Sequence, residues 1–219
     1  MVATEYRGSH ETGFSMLETL VAIFVVTIGL LGIAGLQVKA QVAEFESYQR
    51  AQALIIMGDI TDKINIVRTV ARCFAVTSLA TGLPYFGSAT NPDGTTDSGY
   101  LGTPSCAAGT IDENALAVSM MTAISDSLAG TGETKTSGGV VTSVGAMVGA
   151  RGCVSYNAAT ELTDSTLATL SGTGEYTVAV SWQGRVDTTP PTVNCGNNMY
   201  GTETKRRTVS LTFRAARLK

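Results

Sequence analysis

Only one histidine, His10, occurs in the 219 residues, and it stands just ahead of the long apolar run that opens at Phe14. Without an imidazole beyond that point, Ser/His and Cys/His nucleophile pairs, histidine general bases and histidine-ligated metals are all excluded, leaving carboxylate, Lys, Tyr or thiol chemistry. An enzyme is not expected. Charge is scarce as well: 15% of residues are charged, and 15 Lys+Arg stand against 18 Asp+Glu for a net charge of -3. No broad cationic surface is therefore available to release counterions from a duplex, so the whole chain is not read as a non-specific nucleic-acid binder. A charge content this low beside 44% hydrophobic residues also excludes global disorder, which needs few apolar residues and high net charge. Proline is missing until Pro84, so nothing in the first 83 residues forces a helix to break. No CxxC pair exists, and with it goes the usual spacing of a zinc site.

What the sequence does hold is concentrated in its first fifty residues. From Phe14 to Val38 the run FSMLETLVAIFVVTIGLLGIAGLQV carries one charge, Glu18, over a length that crosses a bilayer as a helix at about 1.5 Å per residue. A removable secretory signal would have a positive leader, a shorter apolar core and a small-x-small site beyond it. Here the leader sets Arg7 against Glu5 and Glu11, and Ala34 and Gly35 are flanked by Ile33 and Leu36. The run therefore reads as an anchor. Gly29, Gly32 and Gly35 recur at every third position within it, a spacing of small residues that permits close helix approach without forming GxxxG. An ionisable group inside such a span costs several kcal/mol unless it is partnered. The helix dipole favours a carboxylate in the first turn by only about 0.3 to 1 kcal/mol, so Glu18 needs a cation.

The hexapeptide GFSMLE, with Gly13, Phe14 and Glu18, resembles the class III signal of type IV prepilins. Its continuation ETLVAIFVVTIGLLGIAGLQVKAQ is similar to the minor pilins of the PilV family, densely over residues 13 to 41 and more loosely at YTVAVSWQGR near the other end. The resemblance implies cleavage between Gly13 and Phe14 by a prepilin peptidase, N-methylation of Phe14, and subunit registration by Glu18 against the N-terminal amine of a neighbour. It implies a type IV pilin fold, with the apolar half of a long helix protruding and the other half packed on an antiparallel sheet. The partners it implies are other minor pilins, the major pilin and a tip adhesin, with the chain first in the inner membrane, head in the periplasm, and then in an extracellular pilus at or near its tip. Minor pseudopilins of type II secretion share GFxxxE but usually lack the IGLLGIAGLQ continuation. A single-span membrane-anchored binding module is the reading of a different class.

Beyond Gln37 the apolar positions fall on one face, with Val38, Val42, Phe45, Ala53, Ile56, Ile60, Ile64, Val67, Ala71 and Phe74 mostly at steps of three and four. A single helix of about 60 residues is predicted, ended by Gly82, Leu83 and Pro84, with Gly58 as a weak point or bend. No clean heptad with charged flanks is sustained, which argues against a coiled coil. Tyr85 to Gly109 has the composition of loops, and Asp93 and Asp97 within it lack the ligand alternation of an EF-hand. Leu116, Met120, Ile124 and Leu128 predict a short helix begun by Asp112, followed by a glycine-rich loop over Gly130 to Gly139. Strands are predicted over Val140–Val144, Cys153–Tyr156, the segment around TVAVSW, and RTVSLTF, forming an antiparallel sheet buried on one face. The organisation expected is a leader over 1–13, an apolar helix half over 14–38, an amphipathic half over 39–76, and an α+β head over 77–219.

Cys73, Cys106, Cys153 and Cys195 all lie beyond the apolar run, and an even number in an exported domain reads as two disulfides. Three connectivities satisfy four cysteines; the pairing favoured is Cys73 with Cys106 and Cys153 with Cys195. Six basic residues, Lys205, Arg206, Arg207, Arg214, Arg217 and Lys219, crowd the last fifteen positions. Without an accompanying row of aromatics they read as the solvated back of an edge strand, and nucleic acid is not expected as a partner. No catalytic constellation, metal-ligand cluster or phosphate loop is found, so no cofactor, metal or small-molecule substrate is expected.

Overall fold

A computed structural model describes residues 15–132, 134–137, 140–143 and 147–215. These fall into two compact units, one reaching Glu44 and one beginning at Phe45. His10 and the Gly13–Phe14 junction lie outside the described residues.

In the first unit the chain is the opening part of helix α1 (Met16–Ile66). Every residue from Met16 to Gln41 is exposed, and an 18-residue window has a mean hydropathy of 2.5 with none of it buried. This helix is long and apolar enough to cross a membrane. The two hydroxyls of its exposed apolar stretch turn inward: Thr19 and Thr27 donate to the carbonyls of Met16 and Phe24, at 2.9 and 2.8 Å. Such local bonds remove polar groups from an apolar surface.

In the second unit α1 buries Ala53, Met57, Ile60 and Ile64, one face at steps of three and four. Gly58 does not interrupt the helix, and a Cβ there would meet nothing within 4 Å. The helix stops at Ile66, short of the expected residue 76 and far short of Gly82 to Pro84. Four β-branched residues, Ile66, Val67, Thr69 and Val70, crowd this end and weaken the α-helix through their restricted χ1. Val67 leaves helical geometry at φ -107°, and Arg68–Phe74 continue as a 3₁₀ segment kinked at Val70. The kink keeps Val67, Val70, Ala71 and Phe74 in the core while carrying Cys73 to Cys106.

Helix α2 (Ile111–Ala129) begins at Thr110 rather than Asp112. The Thr110 side chain accepts from the Glu113 amide while Glu113 accepts from the Thr110 amide, a reciprocal capping box. Its buried stripe is Ala117, Met121, Ile124 and Leu128, whereas Leu116 is 46% exposed. A step-of-four line drifts around a 3.6-residue helix, and packing selects the line that alternates threes and fours.

Six strands occur among the described residues: β1 (Phe86–Gly87), β2 (Thr134–Ser137), β3 (Val140–Ser143), β4 (Arg151–Asn157), β5 (Glu175–Gln183) and β6 (Arg206–Arg214). Four form an antiparallel sheet in the order β1-β4-β5-β6, and β2 pairs with β3 separately. Strand β1 arises within the expected loop region, and β2 within the expected glycine-rich loop. At Gly152 a Cβ would stand 2.7 Å from a Leu128 methyl and 3.6 Å from one of Ile60, so glycine there lets both helices approach β4. The molecule is therefore α+β: a long apolar N-terminal helix and a four-stranded antiparallel sheet.

The sheet is covered on both faces at its centre, not on one. Tyr176, Val178, Val180 and Trp182 of β5 join the helical core. On the opposite face Ala179 and Cys153 pack with Tyr85 and Cys195, flanked by Leu83, Tyr100, Val193 and Met199. Small residues at Ala179 and Ser181 conceal this second layer in the sequence, because an alternating pattern with weak residues on one side resembles a solvated face.

Candidate functional site

Glu18 lies in the first turn of α1, where its amide donates to the Ser15 carbonyl at 2.9 Å. Met16, Leu17, Leu20 and Val21 around it are all more than half exposed. Its carboxylate has no ionic partner among the described residues, so the acid stands within the exposed apolar stretch that opens α1. Gly13 and Phe14, the other two residues of that motif, lie outside the described residues.

The four cysteines form two disulfides, Cys73–Cys106 and Cys153–Cys195, with Cα atoms 5.3 and 5.8 Å apart. The first ties the 3₁₀ segment after α1 to the loop before α2. There Asn114 steadies the loop, its Oδ1 accepting from the amides of Ala108 and Gly109. The second ties β4 to the segment after β5. Beside it, Gly82 (φ +71°) carries no Cβ because one would lie 2.1 Å from the Asn194 carbonyl, and the Asn194 amide group donates to the Leu79 and Ala80 carbonyls. No cysteine is free, so no thiol is available as nucleophile or ligand. Among the described residues no three His, Cys, Asp or Glu side chains converge. Asp93 and Asp97 are engaged locally, Asp93 with Thr95 and Asp97 with Gly99 and the Tyr85 hydroxyl.

The basic residues near the C-terminus are not a uniformly solvated face. Arg206 is 2% exposed. Its guanidinium donates to the carbonyls of Pro191, Val193 and Cys195 and to Glu203. Strand alternation turns it toward the segment that covers the second sheet face, and the buried carbonyls there need donors. Arg207 pairs with Glu46 of α1 at 3.2 Å, and Arg214 pairs with Glu175 at 3.2 Å while bonding the Thr160 and Thr173 carbonyls. Arg217 and Lys219 lie outside the described residues.

One buried cation escapes sequence reasoning altogether. Arg151, 1% exposed, has its guanidinium carbon 4.9 Å from the Tyr85 ring centroid and 5.0 Å from that of Tyr200. It donates to the Gly149 carbonyl at 3.0 Å and to Asn91. The stacking and charge-assisted bonds hold the loop after β1 onto β4. No local pattern marks this residue, which stands at a strand start beside a glycine like any exposed arginine.

These tyrosines give the head an alkaline limit. Burial pushes the Tyr85 phenol from 10.0 up to about 12, with Arg151 opposing and Asp97 reinforcing the shift. Burial also raises Tyr176 to about 12 and moves Tyr200 upward against the pull of Arg151. Each phenol ionises more readily in the unfolded chain than in the folded one. Its contribution is thus intact below pH 10 and is lost as the pH rises toward about 12. Tyrosinate absorbance and loss of ellipticity are expected to rise together within that window; full ionisation of every tyrosine with ellipticity unchanged would contradict the burial.

No family model, curated protein or solved structure matches this chain.

Proposed function

We propose that this chain is a minor-pilin-type subunit of a type IV pilus, a structural protein with a type IV pilin fold that acts through neighbouring subunits. It enters the inner membrane through α1, is cut between Gly13 and Phe14 by a prepilin peptidase, is methylated at the new amine of Phe14, and joins the pilus at or near its tip. Other minor pilins, the major pilin and a tip adhesin are its partners.

The observation that carries this reading is one acidic residue in the first turn of α1, at the head of an otherwise apolar, wholly exposed stretch of that helix. From Met16 to Val38 the only charge is Glu18, and no residue of that stretch is buried. A carboxylate in hydrocarbon or in a bundle of apolar helices costs several kcal/mol unless a cation meets it. An N-terminal amine released at Phe14 of an adjacent copy supplies a cation at the same end of the same kind of helix. The two disulfides suit a head on the oxidising side of the membrane.

Two measurements test the proposal. The intact mass of protein taken from its native membrane is expected to correspond to a chain beginning at Phe14 with one added methyl group; a start at Met1 or beyond Gly35 overturns it. Glu18→Ala is expected to leave membrane abundance unchanged and to reduce incorporation into sheared filaments by at least about tenfold, the equivalent of 1.4 kcal/mol. Equal incorporation removes the role assigned to Glu18.

A further inference from the structure

Within the second unit an open pocket of about 350 Å³ lies between α1 and the sheet. Glu46, Ser47 and Arg50 line it from the helix, Trp182 from β5, and Arg207 to Val209 from the edge strand β6. Its volume is at the lower end of the range for small-molecule sites. We propose that this pocket binds a carboxylate, presented either by an acidic side chain of another polypeptide or by a free small carboxylic acid.

Glu46 is the one acid in the lining and is already engaged: its Oε1 accepts from the amides of Arg185 and Val186 at 3.0 and 3.1 Å and from Arg207 Nη2 at 3.2 Å. Arg207 is held in turn by Thr188 Oγ1 and by the carbonyls of Thr204 and Val186. This pair is a fixed wall. Arg50, by contrast, has no hydrogen-bonding or ionic partner for its guanidinium among the described residues, and the Ser47 hydroxyl has none either. Trp182 is 3% exposed, yet its Nε1–H finds no acceptor. Buried polar atoms are nearly always paired, so the unpaired indole N–H of a residue lining the pocket calls for an explanation.

Charge selects the ligand. Glu46 and Arg207 cancel, leaving Arg50 as one net positive charge, which matches a singly charged carboxylate better than a doubly charged phosphate. The planar guanidinium fork suits the two carboxylate oxygens, and the Trp182 ring with Val209 offers an apolar wall for a short hydrocarbon stem. Nothing in this inference depends on the filament reading, because binding is measured on the purified chain alone.

Trp182 is the only tryptophan, so its fluorescence reports the pocket directly. The full chain in detergent micelles is titrated with propionate, with propionamide as the neutral isostere, and with a blocked tripeptide carrying a central glutamate. A saturable change with propionate or the peptide, absent with propionamide, is expected. Tighter binding of the peptide assigns the carboxylate to a polypeptide; tighter binding of propionate assigns it to a free acid. Arg50→Gln is expected to weaken the response by about tenfold or more with far-ultraviolet ellipticity unchanged, since Arg50 is exposed and unpartnered. No saturable response to either carboxylate, or an undiminished response in Arg50→Gln, overturns the proposal.

Discussion

Replacing Cys153 and Cys195 together by alanine is expected to lower the stability of the head by about 4 kcal/mol, the loop-closure value for a ring of this length. The ring spans 42 residues. Both cysteines are buried, with Cys153 5% and Cys195 1% exposed, and the segment they fasten packs with Tyr85 over the centre of the second sheet face at Ala179. Urea unfolding of the full chain in detergent, followed through Trp182, gives the free energy. The ring from Cys73 to Cys106 is expected to contribute a similar closure term, but its cysteines are half-buried and its loss uncovers less of the core. A double variant at Cys153 and Cys195 as stable as the wild type would refute the view that this staple holds the second layer.

The second large effect is expected at Arg206. Arg206→Ala leaves the carbonyls of Pro191, Val193 and Cys195 without the guanidinium donor and leaves Glu203, which keeps the Asn198 amide, without its ionic partner at 2.7 Å. Each carbonyl left buried without a donor costs about 1–3 kcal/mol, while Glu203, 26% exposed, stays partly solvated. Arg206→Lys is expected to recover only part of this, because an ammonium cannot span three carbonyls and a carboxylate as a planar fork does. Arg206 and the Cys153–Cys195 bond restrain the same stretch of chain, so their effects should fall short of additive in the triple variant. A triple variant that loses the full sum would show that the two restraints act on separate parts of the fold.

How much of this was legible in the sequence depended on whether the deciding contacts were local. The apolar helix and Glu18 within it were legible because a membrane-length run and a lone charge are properties of consecutive residues. Strands β4, β5 and β6 were legible from alternation at Cys153 to Tyr156, Tyr176 to Trp182 and Arg207 to Phe213. The start of α2 was legible and misassigned: Asp112 is a plausible cap, but Thr110 and Glu113 carry the T-x-x-E pattern that the backbone uses. The end of α1 at Ile66 had no Gly or Pro to mark it, since β-branched crowding and the pull of Cys73 toward Cys106 decide it. Strand β1, two residues long, has no pattern to detect. The burial of Arg151 and Arg206 was not legible at all, because stacking on Tyr85 and Tyr200 and the clustered carbonyls of 191–195 exist only once distant segments have met.

The connectivity of the two disulfides also bears on how the chain reaches its native state. Synthesis presents Cys73, Cys106, Cys153 and Cys195 in that order, and the rings they close are consecutive, neither nested nor interlocked. An oxidant that joins each thiol to the next one to emerge therefore produces the native pairing without reshuffling. Cys73 and Cys106 both precede β4 in the emerging chain, so their ring needs no later residue in order to close. The head is wired so that the order of emergence already specifies its cross-links.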